Sequence, residues 1–243
     1  NLRKYILRMV EGGRRGHIGP ATSLIELIRV FYDSWLSYRP EQPAWPERDR
    51  LILSKGHGCL ALYAVLADKG FFPQDELDEF CKHNSMLGGH PETKVPGVEA
   101  CTGSLGHGLS IGVGVALAAK IKRQQYKVAV IVGDGELNEG TTWESIMFAS
   151  HHRLNNLNII IDNNKIQSMD FAKKVINLNP LKKKFLSFGC KVFDINGHNI
   201  YEITKALKAQ SKNKPKVIIA NTIKGKDISF MENNNLWHYK NPN

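Results

Sequence analysis

The second half of the chain alternates short apolar runs with segments of helical periodicity. Strands are predicted at 127–132, 157–162, 191–195 and 217–221, with helices at 140–152, 178–188 and 200–209. This β-α-β-α-β-α-β order predicts an α/β fold with a mostly parallel sheet, right-handed crossovers and helices on both faces. Ligands of such sheets gather beyond the carboxyl ends of the strands, so we expect function at that edge.

The first half of the chain predicts helices around one further strand. That strand is "RLILS", and helices are expected at 1–10, 23–36, 57–69, 73–77 and 105–123. Ser23 and Glu26 have the spacing of a capping box, which places the start of the second helix at Ser23. Residues 84–106 are rich in glycine and proline, and long irregular segments inside a compact domain are usually functional. With 42% apolar residues, positions 1–243 are predicted to form a single domain.

Charge and cysteine usage narrow the functional class. The chain has 33 Lys and Arg against 23 Asp and Glu, a net charge of +10, which permits a nucleic acid, a membrane surface or an anionic small ligand. The basic residues are scattered without interleaved aromatics, so a solvated surface is favoured and no nucleic-acid partner is predicted. The four cysteines form no C-x-x-C pair, which favours a reducing cytoplasm over a disulfide framework or a zinc site. No apolar run has membrane-spanning length, so no membrane partner is predicted.

The stretch "VGDGELNEG", residues 132–140, is the candidate ligand loop. Asp134 follows one predicted strand, and "DNNKIQ", residues 162–167, follows the next strand along the chain. If the two strands are neighbours, their ends lie about 5 Å apart, and carboxylate, amide and main-chain carbonyl oxygens converge. Such hard donors favour Mg²⁺ or Ca²⁺ over zinc. Gly133 and Gly135 would let the backbone approach phosphate oxygens.

A plainer interpretation of this loop is equally well supported by these residues alone. Asp134 could be an ordinary cap in a tight turn between a strand and a helix. The Walker pattern is absent, and the loop lacks the spacing of the dinucleotide fingerprint, which disfavours two common phosphate-binding classes. The loop therefore predicts either a metal-bridged diphosphate or a simple turn.

Six ordered motifs resemble those of transketolases. The segment "GDGELNEGTTWESIMFASHHRLNNLNIIIDNNK" looks like the thiamine-diphosphate motif, which starts with GDG and ends near a pair of asparagines. The others, in transketolase order, are "RRGHIGPATS", "LSKGHGCLALYAVLA", "GGHPE", "GVEACTGSLGHGLSIGVGVALA" and "KGKDISFMENNNLWH". The resemblance implies a thiamine diphosphate-binding fold of the diphosphate (PP) type. The implied cofactors are thiamine diphosphate and Mg²⁺, with Ca²⁺ or Mn²⁺ as alternative cations.

The resemblance also implies roles for individual residues. The implied metal ligands are Asp134, Asn164 and the main-chain carbonyl of Ile166. The implied cofactor contacts are His57, Gly103, Leu105, Gly135, Asn164 and His238, with Glu139 linking the two cofactor-binding halves. The implied catalytic residues, which surround the reactive carbon and hold the oxygens of a ketose donor, are His17, His90 and His238.

Some positions depart from the family pattern, and the remaining histidines are predicted to be structural. Ser104, Asp170 and Asp227 replace usual family residues, and Tyr239 stands where a glycine usually follows the histidine. A bulky side chain beside His238 is expected to reshape the donor pocket, which leaves the substrate open. The histidines assigned structural roles are His83, His107, His151, His152 and His198.

The implied activity is transfer of a two-carbon ketol unit from a ketose to an aldehyde, with sugar or sugar-phosphate substrates. Transketolases continue into a pyrimidine-binding domain, which carries the activating glutamate, and a C-terminal domain. We therefore expect the N-terminal subunit of a split transketolase, active only with a partner chain in an α2β2 heterotetramer. The ending just after the His238 motif favours this over a fragment of a longer polypeptide. The alternatives are a related acyloin-forming or 2-oxo acid enzyme, and a non-catalytic scaffold, against which the retained motif residues argue.

Overall fold

A five-stranded parallel sheet forms the centre of the molecule. The computed structural model describes residues 2–242, so the predicted domain limits at 1 and 243 lie outside the described residues. The strands are β1 (Arg50–Leu53), β2 (Val128–Gly133), β3 (Leu157–Asn163), β4 (Lys191–Asn196) and β5 (Lys216–Asn221). They lie in the order β1-β2-β3-β5-β4, and every neighbouring pair is parallel, which confirms the predicted sheet.

Helices connect the strands and flank the sheet. They are α1 (Leu2–Gly13), α2 (Ile18–Thr22), α3 (Ile25–Val30, continued by a π-helical turn at Phe31–Trp35), α4 (Cys59–Asp68), α5 (His107–Ile121), α6 (Gly140–His151), α7 (Ala172–Val175), α8 (Leu181–Ser187) and α9 (Ile200–Lys208). Single 3₁₀ segments occur at Gly56–Gly58, Gln74–Glu79, Gly135–Asn138 and Asn235–Trp237. Within residues 2–242, none of the helices combines the length and apolarity needed to cross a membrane.

Alternate residues of each strand pack into opposite layers. Ala129 and Ile131 of β2 belong to a core shared with α1 to α4 and α9, whereas Val130 and Val132 belong to a second core with α5, α6 and α8. Because side chains alternate along a strand, a strand that is apolar throughout must be covered on both sides. The predicted placement of helices on both faces is confirmed.

The predicted start of the second helix at Ser23 is wrong. The chain forms the short helix α2 and then starts α3 at Ile25. The Ser23 hydroxyl lies 2.8 Å from Asp162 Oδ2, and Glu26 binds Arg3 and His198 at 2.7 and 2.9 Å. Since Ser23 and Glu26 both have strong partners elsewhere in the fold, neither closes the capping box that their spacing suggested.

The carboxyl ends of β2 and β3 are neighbours, as predicted. Gly133 pairs directly with Asp162 in the parallel register. Strand β3 continues through Asn163, so Asp162 belongs to the strand and its side chain is fully buried. The loop segment next to "VGDGELNEG" therefore begins at Asn164, two residues later than the sequence pattern suggested.

Candidate cofactor and metal site

A cavity of about 470 Å³ opens at the carboxyl edge of the sheet. It is lined by ten of the residues assigned above to the cofactor, metal or catalysis: His17, His57, Gly103, Leu105, Asp134, Gly135, Glu139, Asn164, Ile166 and His238. The remaining residue, His90, stands beside the lining, because a Cβ placed on Gly103 would lie 3.1 Å from His90 Cδ2. The fold brings the whole predicted set together, while the role of each residue remains a prediction.

Hydrogen bonds orient two of the three predicted metal-binding oxygens, those of Asp134 and Asn164. The amide of Lys165 donates to Asp134 Oδ2 at 2.5 Å, and the amide of Ile166 donates to Asn164 Oδ1 at 3.1 Å. Within residues 2–242, the other carboxylate oxygen of Asp134 accepts no hydrogen bond. In the same described part of the chain, no group of three or more His, Cys, Asp and Glu side chains could hold a metal ion. A mixed set of carboxylate, amide and carbonyl oxygens is what a hard cation takes.

The electrostatics of Asp134 fit a bound cation. Burial, and next the carboxylate of Asp162, raise the pKa of Asp134 to about 6. A buried carboxylate is costly unless it is paired with a positive charge or coordinates a metal. A divalent ion beside Asp134 would therefore stabilise the carboxylate that the protein alone disfavours.

The glycines of the loop leave room for a ligand. Neither Gly133 nor Gly135 has a positive φ, and a Cβ on either would meet no protein atom closer than 3.5 Å. The protein itself does not require glycine there, but a side chain on Gly135 would project from the cavity wall. The open space and the oxygen donors together fit a metal-bridged diphosphate, and they favour this interpretation over a simple turn.

A buried ion pair behind the cavity was missed by the sequence reasoning. The ammonium of Lys55 contacts the carboxylate of Asp162, with the two side chains 1% and 0% exposed. Burial raises the pKa of Asp162, but the charge and hydrogen bond of Lys55 outweigh it and hold the pKa below its usual value. Asp162 also accepts a bond of 3.1 Å from Asn164 Nδ2. This bond orients the side-chain amide of Asn164, so that its oxygen is directed away from Asp162 and accepts from the amide of Ile166.

A second buried carboxylate, that of Glu136, connects the loop that ends at Gly106 with the loop that begins at Gly133. Glu136 accepts hydrogen bonds from the amides of Gly106 at 2.9 Å and Gly133 at 2.8 Å, and from Ser54 Oγ at 2.6 Å. These bonds tie the irregular segment before α5 to the end of β2. Glu136 therefore positions both walls of the cavity, although the sequence marked only its neighbours.

The histidines form a cluster around His17. Its ring centroid lies 5.2 Å from that of His57, 5.3 Å from His238 and 6.4 Å from His90. Burial lowers the pKa of His17 to about 4 and that of His238 to about 3, and it lowers the pKa of His57 well below its usual value. These three imidazoles are neutral near pH 7, and a neutral imidazole can both donate and accept a hydrogen bond.

Lys224 is a further residue that the sequence reasoning missed. Its ammonium is buried in the cavity wall, 2.7 Å from His238 Nδ1 and 3.0 Å from the carbonyl of Ile166. A lysine ammonium can only donate, so Nδ1 of the neutral His238 accepts and its Nε2 carries the proton. Burial lowers the pKa of Lys224 to about 8, which leaves it charged at pH 7. Its place inside the motif "KGKD" was the available signal.

Tyr239 lies at the histidine cluster, as its sequence position suggested. Its ring centroid is 4.6 Å from that of His17, and the residue is 54% exposed. A glycine at this position would leave that side of His17 open. The tyrosine therefore adds an aromatic wall beside the residue at the centre of the cluster.

The fold and the cavity define the class of protein: an α/β domain with a polar cavity at the carboxyl edge of a parallel sheet, the edge at which such sheets hold their ligands. The domain family described as "Transketolase, thiamine diphosphate binding domain" matches residues 1–239. The chain belongs to this family, and thiamine diphosphate is the cofactor by which the family is defined.

The curated relatives and solved structures agree with this membership. The chain is 42% identical to an apulose-4-phosphate transketolase subunit of Actinobacillus succinogenes, over 99% of this chain and 88% of the relative. It is also 42% identical to the 6-deoxy-6-sulfo-D-fructose transketolase subunit SqwG of a Clostridium species, over 95% and 85% of the two chains. A transketolase variant from Pichia stipitis superposes with a TM-score of 0.93 at 29% identity, covering 98% of this chain and 37% of that one.

Proposed function

We propose that this chain is the diphosphate- and metal-binding subunit of a two-chain transketolase, which moves a two-carbon ketol unit from a ketose donor to an aldehyde acceptor. The observation that carries the proposal is the convergence of the Asp134, Asn164 and Ile166 oxygens with the histidine cluster in one cavity. Relatives of similar length whose names describe one subunit of a transketolase support the division between two chains.

Each wall of the cavity has a proposed task in holding the cofactor. Asp134, Asn164 and the carbonyl of Ile166 bind Mg²⁺, while Gly135 and His57 contact the diphosphate. Leu105 and Gly103 lie along the cofactor, Glu139 links its two binding halves, and Lys224 adds a positive charge close to the diphosphate. When bound, thiamine diphosphate supplies the electron sink for breaking and forming a carbon–carbon bond.

The histidine cluster is proposed to hold the sugar. His17, His90 and His238 bind the hydroxyl and carbonyl oxygens of the donor beside the reactive carbon. Because Lys224 occupies Nδ1 of His238, the Nε2–H group is the one that donates to a substrate oxygen. The low pKa values of His17 and His238 keep these rings neutral, so they orient the sugar without adding charge.

The proposed partner carries the pyrimidine-binding domain and the activating glutamate, in an α2β2 assembly. Helices α5 and α6 lie side by side, with the Ser110 and Ser145 hydroxyls 2.8 Å apart. Their surfaces expose Ile111, Met147 and Phe148, which are 41%, 52% and 44% accessible. Both helices follow directly from the cofactor cavity, and exposed apolar groups of this kind mark interaction sites. We assign this surface to the partner subunit.

The substrates are proposed to be sugars or sugar phosphates of a specialised pathway. The names of two similar subunits mention apulose-4-phosphate and 6-deoxy-6-sulfo-D-fructose, neither of which is an ordinary hexose or pentose phosphate. Tyr239, which contacts His17, supports a donor pocket of unusual shape. A cytoplasmic location is proposed as well, supported by the four unpaired cysteines among the described residues.

Reconstitution tests the proposal as a whole. The purified chain, supplied with Mg²⁺ and thiamine diphosphate, should transfer no ketol units alone and should do so after addition of the partner subunit. Transfer from a ketose to an aldose is followed by chromatography, with pyruvate offered in a parallel reaction. Turnover by the unaided chain would contradict the two-chain proposal, and consumption of pyruvate in place of the ketose would favour the acyloin-forming alternative.

Cofactor binding should weaken in acid because a proton competes with the metal at Asp134. The pKa of Asp134 is raised to about 6, so the group is ionised at pH 7.5 and mostly protonated at pH 5. One pH unit below that pKa, the apparent Mg²⁺ affinity should be about tenfold lower. His17 and His238, with pKa values of about 4 and 3, stay neutral over this range.

Calorimetric titration of the assembled complex at both pH values measures this effect. The diphosphate of the cofactor also titrates, so the Asp134→Asn variant is the matched control: it retains the ligand's own pH dependence and lacks the carboxyl group. The wild-type affinity should fall more steeply with acid than that of the variant. Parallel pH profiles would contradict the assignment of Asp134 as a metal ligand.

A further inference from the structure

A second cavity lies at the opposite edge of the sheet, where β2, β3 and β5 begin. Its volume is about 720 Å³, and the residues that line it include the four lysines 127, 208, 212 and 216 but no Asp or Glu. The six residues of β5 span about 20 Å, so this cavity is separate from the cofactor site. We call it the amino-edge pocket.

Lys216 is buried in this pocket without a counter-charge. The residue is 5% exposed, and its ammonium donates to the carbonyl of Leu207 at 2.7 Å. That carbonyl already accepts from Trp35 Nε1 at 3.1 Å. Within residues 2–242, the ammonium has no other hydrogen-bond acceptor and no carboxylate partner, although it carries three N–H donors. An unpaired buried charge is costly, so this arrangement calls for an anion.

The neighbouring lysines add positive charge to the same place. Lys191 pairs in register with Lys216 from β4, and its ammonium donates to the carbonyl of Gln210 at 2.6 Å. Lys127 is partly neutralised by Asp49, 3.0 Å away. Burial, and next the charges of Lys191 and Lys127, lower the pKa of Lys216 to about 8, so it remains mostly protonated at pH 7.

Asn158 provides an independent sign of a ligand in the pocket. It pairs in register with Lys216 across β3 and β5, so the two side chains point to the same face of the sheet. The residue is 4% exposed, and its Nδ2 makes a long bond of 3.4 Å to the carbonyl of Val128. Its Oδ1 is buried and has no partner among the described residues. Because nearly all buried polar atoms in proteins are hydrogen-bonded, we expect a ligand to donate a hydrogen bond to Asn158 Oδ1.

We propose that the amino-edge pocket binds a phosphate group, carried either by inorganic phosphate or by a small phosphate monoester. The phosphate oxygens accept from the ammonium of Lys216, with Lys208 and Lys212 at the rim. A hydroxyl group of the ligand, on phosphorus or on the ester, donates to Asn158 Oδ1. Within the described part of the chain, the Lys216 ammonium has N–H groups without acceptors, and Asn158 Oδ1 is an acceptor without a donor. Phosphate can satisfy both, whereas sulfate has no proton to donate to Asn158 at pH 7.

The test is calorimetric titration of the complex of the chain with its partner, saturated with thiamine diphosphate to block the cofactor cavity. Inorganic phosphate, glycerol 3-phosphate and sulfate are injected separately at pH 7 and constant ionic strength. Saturable binding of one or both phosphate ligands is expected, with sulfate weaker. Comparison of the two phosphate ligands identifies whether the free anion or the ester is preferred.

Two variants link the binding to the pocket. Lys216→Met should weaken phosphate binding at least tenfold, and Asn158→Leu should abolish the preference for phosphate over sulfate. The matched control is Lys184→Met, because Lys184 also donates to a backbone carbonyl at 2.7 Å but lies outside the pocket. Its affinity for phosphate should equal that of the wild type.

Two results would overturn the assignment of the pocket to phosphate. They are the absence of saturable binding by both phosphate ligands, and equal affinity of the wild type and Lys216→Met. Should Lys216→Met fail to fold, the double change Lys208→Ala and Lys212→Ala replaces it, because both side chains are exposed. Severalfold weaker binding by that variant supports the proposal, and unchanged binding refutes it.

Discussion

Replacing Asp134 with alanine should sharply weaken the Mg²⁺-dependent binding of thiamine diphosphate to the assembled complex. Asp134 is the only carboxylate among the three proposed ligands, so the variant leaves a divalent cation with one amide and one carbonyl oxygen from the protein. Losing one partner of a buried charge pair typically weakens binding by roughly 100-fold or more. Calorimetric titration of the cofactor with and without Mg²⁺ measures the change.

The folding of this variant should be little affected. Because burial raises the pKa of Asp134, the protein alone disfavours the ionised carboxylate, and the main loss is one hydrogen bond from the amide of Lys165, worth about 1 kcal/mol. Asp75→Ala is the control, since Asp75 is an exposed carboxylate that lines neither the cofactor cavity nor the adjoining cavity that Asp134 also lines. Undiminished Mg²⁺-dependent affinity in a folded Asp134→Ala protein would mean that the loop is a turn and not a metal site.

The sheet and the location of the site could be predicted because both depend on local patterns. Apolar runs alternating with helical segments give the strand count and direction, and the carboxyl ends of parallel strands meet at one edge. The neighbouring positions of Asp134 and Asn164 follow from that rule once β2 and β3 are paired. The histidines were predictable only through the resemblance, since their sequence positions are far apart.

The missed features depend on contacts that no local pattern encodes. Lys55 and Asp162 are 107 positions apart, and each alone has the appearance of an ordinary charged residue beside a strand. Ser23 and Asp162 are 139 positions apart, so no pattern along the chain indicated their hydrogen bond. Ser23 was therefore interpreted as the cap of a helix. The partners in a buried polar network are brought together only by the complete fold. Patterns along the chain can therefore mark a charged residue, but they do not show which residue it will bind.

The buried ion pair gives the largest expected effect on stability. Replacing Lys55 with methionine should lower the free energy of unfolding by about 3–5 kcal/mol at pH 7, because it leaves the carboxylate of Asp162 buried and unpaired. Lys69→Met is the matched control: its partner Asp33 is 36% exposed, and such surface pairs contribute about 1 kcal/mol or less. Urea denaturation without cofactor measures both variants.

The pH dependence identifies the charge as the cause. In the wild type the pKa of Asp162 is depressed, so its contribution to stability is present above the unfolded value of about 3.9 and is lost as the pH falls through the folded value. Without Lys55, burial raises this pKa, and the carboxyl group is protonated more readily in the folded state. The loss caused by Lys55→Met should then shrink between pH 7 and pH 5. The double variant Lys55→Met with Asp162→Asn should recover most of the stability, whereas an equal loss at both pH values would show that packing, and not the unpaired charge, is responsible.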